Sequence, residues 1–151
     1  MRIPEPLFKI VNLIVRALLA SPLHGLASGS FMVIQYKGRK SGRDLATPVR
    51  YQRIEGVLRA TTAEHTQWWR NVQANPEVAL RVAGEVRRYR ASLVVMDPER
   101  ARPMLLGFLA EFPQDAVYQD IRMDKDNQPD PADLEAALKV AVIVDFEPIA
   151  G

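Results

Sequence analysis

The chain has 151 residues, no cysteine, two histidines and a formal net charge of +2. Such a length fits one domain with its own apolar core, and the composition excludes a disulfide scaffold, a thiolate metal site, a cysteine nucleophile and a histidine-based metal centre. The near-neutral total hides an imbalance: residues 1–90 carry 15 Lys/Arg against 6 Asp/Glu, and residues 91–151 carry 5 against 12. A basic half points either to an anionic partner or to pairing with the acidic half, within one fold or across a dimer, and both stay open.

Pro4 and Pro6 precede an apolar run from Leu7 to Leu19, whose polar residues Lys9, Asn12 and Arg16 fall on one narrow helical stripe. The run is too short and too interrupted to span a bilayer, and Asn12 and Arg16 break any signal-peptide pattern. It can pack on the domain, contact a second copy or lie in a membrane surface. Ser21-Pro22 ends it, which divides the chain into an amphipathic helix with linker over residues 1–27 and a single domain over 28–151.

From Phe31 the apolar period drops to two. Phe31–Tyr36 reads as a strand, Leu45–Ile54 as a second, and Glu55-Gly56 as a tight turn into a third at Val57–Thr62. His65–Ala74 reads as a short helix stopped by Asn75-Pro76. Val78–Val82 and Val86–Met96 form a hairpin across Ala83-Gly84-Glu85. Asp97-Pro98 starts a helix that runs to about Phe112. Residues 113–131 read as an acidic loop, Pro131–Lys139 as a helix and Val140–Phe146 as a last strand. About six strands, mostly hairpin-connected, with helices between them predict an α+β fold built on a curled antiparallel sheet or barrel.

The densest chemistry lies in Gly38-Arg39-Lys40-Ser41-Gly42-Arg43, followed by Thr47-Pro48-Val49-Arg50. Two glycines let the backbone turn tightly and approach a ligand. A guanidinium, an ammonium and a hydroxyl between them suit a phosphate. The order is not that of a P-loop, and no helix follows at once. An ordinary solvated hairpin turn accounts for the same residues.

The run G-R-K-S-G with Pro48 beyond it, taken with Trp68-Trp69-Arg70-Asn71-Val72-Gln73-Ala74-Asn75-Pro76, resembles the deazaflavin-dependent nitroreductase family over residues 28–147. The resemblance implies a split β-barrel of the flavin-binding kind, coenzyme F420 as cofactor, and hydride transfer to a quinone, nitro compound or activated alkene. It implies that Arg39, Lys40 and Ser41, with Gly42 and Arg43, hold phosphate and carboxylates. Leu45, Ala46, Thr47, Pro48, Val49 and Arg50 would run along the cofactor, with backbone near Pro48 and Val49 facing its ring. Ala60, Thr61 and Thr62 would contact it from the next strand end, and Trp68 with Gln67, Trp69 and Asn71 would cover one side. Phe112-Pro113 and Tyr118-Gln119-Asp120 resemble a tyrosine-rich stretch of the family, which implies that Tyr118 orients substrate or delivers a proton.

Three features depart from the family's pattern. The loop after Thr62 is the short Ala63-Glu64-His65-Thr66-Gln67, with an acid where relatives carry basic residues. Leu45 stands where some relatives have an arginine, and Ile121 replaces a further tyrosine. Two other readings therefore accompany the deazaflavin reductase: a barrel that holds an acyl chain or lipid without catalysis, and a reductase that uses FMN. No metal and no nucleic-acid partner is expected, since Arg81, Arg87, Arg88 and Arg90 come with no recognition motif. The expected partners are a small lipophilic substrate and a second copy of the chain. The expected location is the cytoplasm, with peripheral contact at the inner membrane face through the N-terminal helix.

Overall fold

A computed structural model describes residues 30–149; the expected helix at Leu7–Leu19 lies outside them. The described strands are β1 (Phe31–Lys37), β2 (Asp44–Arg50), β3 (Gln52–Ile54), β4 (Val57–Ala63), β5 (Glu77–Val82), β6 (Glu85–Val95) and β7 (Ala141–Pro148). Between them come α1 (Trp68–Ala74), α2 (Pro98–Glu111), a 3-10 helix η1 (Pro113–Gln119) and α3 (Pro131–Val140).

The seven strands form one antiparallel sheet in the order β2-β1-β5-β6-β7-β4-β3. Its two end strands, β2 and β3, are separated in sequence by Tyr51 alone. Laid flat, six inter-strand gaps would put them roughly 29 Å apart, whereas one extended residue reaches about 3.5 Å. The sheet must roll until its ends meet, and the result is a split β-barrel. The sequence predicted one strand over Leu45–Ile54; the chain instead breaks at Tyr51. The Tyr51 N–H still donates to the Ser30 carbonyl at 2.8 Å, while Gln52 has already crossed to pair with Arg59 of β4. One straight strand cannot pair at both ends of the sheet.

Side-chain alternation sorts the two faces. Met32, Ile34, Leu58, Ala60, Leu80, Val142, Val144 and Phe146 fill the barrel interior with Trp68, Trp69 and Val72 of α1. The other face of β6 and β7, through Val94, Ala141 and Ile143, packs under Leu105 and Leu109 of α2, Ala116 of η1 and Leu138 of α3. Ala141–Val144 is therefore buried on both sides, which explains its unbroken apolar run. Tight turns set the hairpins: Glu55-Gly56 and Ala83-Gly84 have positive φ at both residues (47° and 85°, 51° and 81°), as a type I′ turn requires.

Asp97 caps α2, accepting from the Arg100 N–H at 3.3 Å, and Asp130 caps α3, accepting from the Asp133 N–H at 2.9 Å. The helix expected from His65 begins only at Trp68. The Thr66 hydroxyl donates to the Ala63 carbonyl at 3.1 Å and meets the Thr62 hydroxyl at 2.6 Å, which commits residues 63–66 to a turn. The stretch expected to be loop over 113–131 contains η1, whose Asp115, Ala116 and Gln119 are buried among otherwise polar residues. Seven residues are too few for a three-residue period to stand out in the sequence. Among the described residues no helix is long and apolar enough to cross a membrane.

Candidate functional site

The glycine loop joins β1 to β2 and closes on itself. The Gly38 N–H donates to the Arg43 carbonyl at 2.9 Å and the Gly42 N–H to the Gly38 carbonyl at 2.8 Å. Gly42 has φ +69°, a conformation that favours glycine. A Cβ at position 38 would lie 2.8 Å from the Ser41 Oγ, which itself accepts from the Arg43 N–H at 3.2 Å. The loop is thus a folded cradle with Ser41 turned into it.

Arg39 fixes the cradle to α1. Its backbone N–H and its Nη1 both donate to Asn71 Oδ1 at 2.9 Å, and its Nη2 donates to Gln67 Oε1 at 3.1 Å. Asn71 in turn donates to the Gln67 carbonyl at 3.3 Å. The two sequence motifs are therefore one physical unit, bonded through Arg39 and Asn71. Lys40 and Arg43 stay exposed, and among the described residues neither has an acidic side chain within salt-bridge distance. Lys37 differs, being paired with Asp44.

Beyond the loop, β2 has one side that no described strand pairs. Because the Tyr51 N–H points to β1, odd-numbered residues of β2 aim their backbone groups at β1 and even-numbered ones aim outward. Pro48 is even-numbered, so its missing N–H falls where no described strand needs one. On the far side of the split, β3 accompanies β4 only as far as Arg59. Beyond Arg59 that side of β4 is paired by no described strand; because the Glu64 N–H donates to the Val140 carbonyl, the backbone groups of Ala60 and Thr62 are turned to β7 and those of Thr61 to this side. β2 and β4 are in contact, so these two sides face each other across the split.

Thr47 is buried and its hydroxyl meets the Tyr36 hydroxyl at 2.8 Å. Burial raises the Tyr36 phenol above its ordinary range, and the bond to Thr47 offsets part of that rise. Leu45 is exposed, whereas Ala46, Pro48 and Val49 are half-buried or buried. Trp68 and Trp69 face the barrel core, with Arg70 stacked 4.3 Å from the Trp69 ring centroid.

Arg50 lies at the other end of β2, away from the loop. Its Nε donates to Asp115 Oδ2 at 2.7 Å and its Nη1 to Ser30 Oγ at 2.8 Å. The guanidinium is flanked by Phe31 and Phe112, at 4.4 and 5.0 Å from the ring centroids. Tyr118 projects from η1 and is 72% exposed. Its neighbour Gln119 is buried and donates through Nε2 to the Thr62 carbonyl at 3.3 Å. Asp115 and Gln119 were missed by the sequence reading, because nothing in an acidic, proline-bearing stretch marks which polar side chain turns inward.

A groove of about 550 Å³ borders the loop end of the barrel, lined by Gln35, Lys37, Asp44, Leu45, Ala46, Asn75, Glu77, Ala79 and Arg88 among others. Of the expected cofactor residues it takes in only Leu45 and Ala46, and its charged walls are already paired, Lys37 with Asp44 and Arg88 with Glu77. The cations of the basic half divide accordingly. Arg59 pairs with Asp145 and Arg50 with Asp115, across the two halves, whereas Arg87, Arg88 and Arg90 take Glu85 or Glu77 of their own half. Among the described cations of that half without a carboxylate partner, Arg39, Lys40 and Arg43 share the glycine loop, while Arg53, Arg70 and Arg81 lie on other elements.

Comparison with known proteins agrees with this geometry. Rv3178 of Mycobacterium tuberculosis (strain ATCC 25618 / H37Rv), provisionally named an F420H(2)-dependent quinone reductase, is 32% identical over 76 residues, which is 47% of this chain and 63% of the relative. The chain thus spans less than two thirds of that relative's length. Among solved structures, an F420-H2 dependent reductase (FDR-A) matches with a TM-score of 0.51 at 20% identity, over 77% of this chain and 93% of the other. A pyridoxamine 5'-phosphate oxidase-related, FMN binding protein from Nostoc punctiforme PCC 73102 matches with a TM-score of 0.58 at 14% identity, over 91% and 78%. Both share the fold. The profile of the F420H(2)-dependent quinone reductase family matches residues 9–126, a span that holds the glycine loop, the Trp68–Pro76 segment and Tyr118, and the chain belongs to that family.

Proposed function

We propose that the chain is an F420H2-dependent reductase that passes hydride to a quinone. The observation that carries this reading is the glycine loop: Arg39 bolts it to α1, and Lys40 and Arg43 are exposed with no carboxylate partner among the described residues. Unpaired cations on a pre-shaped loop fit the phosphate and carboxylates of F420, because no internal salt bridge has to break when the anion arrives.

Lys40 and Arg43 would hold the anionic portion, with the Ser41 hydroxyl as a neutral donor. The outward Pro48 carbonyl of β2 and the backbone groups of Thr61 would hydrogen-bond the ring system along the split. Reduced F420, when bound, supplies the hydride chemistry. The chain would orient the acceptor and exclude water, and Tyr118 Oη would donate a proton to the reduced acceptor oxygen. Arg39 shapes the loop through two of its five side-chain donors, which serve Asn71 and Gln67.

The direct test is to follow oxidation of F420H2 with a soluble quinone, a nitroarene and an activated alkene as separate acceptors. Turnover with the quinone that exceeds both others supports the proposal. Turnover confined to the nitroarene or alkene would move the acceptor class, and no turnover with any would leave a binding protein.

A further inference from the structure

The 3-10 helix η1 touches both sides of the barrel's split. At its start, Asp115 is bonded to Arg50 at the end of β2 at 2.7 Å. At its finish, Gln119 donates to the Thr62 carbonyl at the end of β4 at 3.3 Å. That bond fixes the orientation of the amide, since a carbonyl only accepts, and it leaves Gln119 Oε1 buried without a partner among the described residues. The segment is closed off by left-handed Asp120 (φ 57°) and by the Ile121 N–H, which donates to the Ala116 carbonyl at 3.1 Å. Between the two anchors lie buried Ala116 and then Val117 and Tyr118, 63% and 72% exposed.

A 3-10 helix has three residues per turn, so Asp115 and Tyr118 stand in one row, about 6 Å apart along the axis. Whatever sets the rotation of Asp115 also sets that of Tyr118. Arg50 is built to do so. Its guanidinium is flanked by two phenylalanine rings and bonded to Ser30 as well as to Asp115, and its side chain is only 17% exposed. A cation held in this way offers one geometry to its carboxylate.

We propose that η1 is a strap across the split, that Arg50 through Asp115 and Gln119 through Thr62 are its two fastenings, and that both are positioning residues for Tyr118. The role in catalysis rests on the reading that hydride is passed within the split; the fastening itself does not. Arg50 acts on this account without touching the cofactor, so cofactor affinity and turnover must respond differently to its loss.

The test uses the full chain with Arg50→Met/Asp115→Asn, which removes both charges together and avoids a buried unpaired one, and with Gln119→Ala. Hydrogen exchange over residues 113–121 and fluorine NMR of 3-fluorotyrosine at position 118, assigned with Tyr118→Phe, report the strap without any cofactor. Exchange in the strap should rise about ten-fold or more in both variants, and the Tyr118 signal should move toward its position in the unfolded chain. F420 affinity should stay within about two-fold, while kcat falls about ten- to hundred-fold, the range expected when a reacting group is misplaced by about 1 Å. Arg50→Lys should recover part of the protection. Wild-type exchange and an unmoved Tyr118 signal in both variants would overturn the strap. Loss of F420 affinity in step with kcat would overturn the positioning role and place Arg50 on the cofactor. Absence of F420 binding by the wild-type chain would remove the reductase reading, while exchange and fluorine signals would still decide the strap.

Discussion

The two ends of β2 use arginine in opposite ways. At the loop end, Arg39 is bonded to Asn71 and Gln67, and Lys40 and Arg43 have no carboxylate partner among the described residues. At the far end, Arg50 is enclosed by Phe31, Phe112, Asp115 and Ser30. One end keeps positive charge available, and the other consumes it to fix a neighbouring segment. A basic residue near a presumed anion site is therefore not evidence of anion contact until its own partners are known.

The largest expected effect breaks the loop end alone. Lys40→Ala/Arg43→Ala should weaken F420 binding by about 3 kcal/mol or more, at about 1.5–3 kcal/mol for each charge-assisted contact. Thermal stability should stay within about 0.5 kcal/mol, because both side chains are solvated. Equal losses of affinity and stability would show the loop to be structural. A fluorescence titration and a melting curve on the same preparation measure both.

Asn71→Ala attacks the bond between the two motifs. It strips the acceptor from two donors of Arg39, so urea unfolding should show a loss of about 1–3 kcal/mol, and F420 should bind more weakly because the loop loses its anchor. Tyr36→Phe tests the interior wall of β2. Loss of the bond to Thr47 should cost about 1 kcal/mol. The raised Tyr36 phenol also gives stability a pH dependence. Its contribution is complete below the ordinary phenol range near pH 10 and is lost as pH rises through the higher folded value, because the unfolded chain releases the proton first. The Tyr36→Phe variant should lack that alkaline component.

The smallest effect sharpens the comparison from the cofactor side. Glu64 is an exposed acid in the shortened loop before α1. Glu64→Lys should tighten F420 by about 0.5 kcal/mol at low salt, with the gain fading as ionic strength rises. A gain that persists at high salt would indicate a direct contact.

Much of this was legible in residues that act locally. Glu55-Gly56 and Ala83-Gly84 announce their turns, Asp97-Pro98 announces the start of α2, and the glycine loop shows its chemistry in its own letters. What was not legible depends on partners far along the chain. The strand order sets β2 and β3 at opposite ends of the sheet, so the break at Tyr51 follows from closure of the barrel and leaves no mark in an evenly apolar stretch. Arg39 and Arg50 look alike in sequence; Asn71, 32 positions away, and Asp115, 65 positions away, make them different. The inward turn of Asp115 and Gln119 arises from packing against β2 and β4, which no seven-residue pattern encodes.

The central claim is that the cradle at Gly38–Arg43 takes the anionic end of F420. Titrating the wild-type chain with oxidised F420 and, separately, with FMN, followed by fluorescence, tests it most directly. The account predicts saturable micromolar binding of F420 that is tighter than FMN and weakens with added salt. Binding of neither cofactor, or F420 binding untouched by salt, would contradict it.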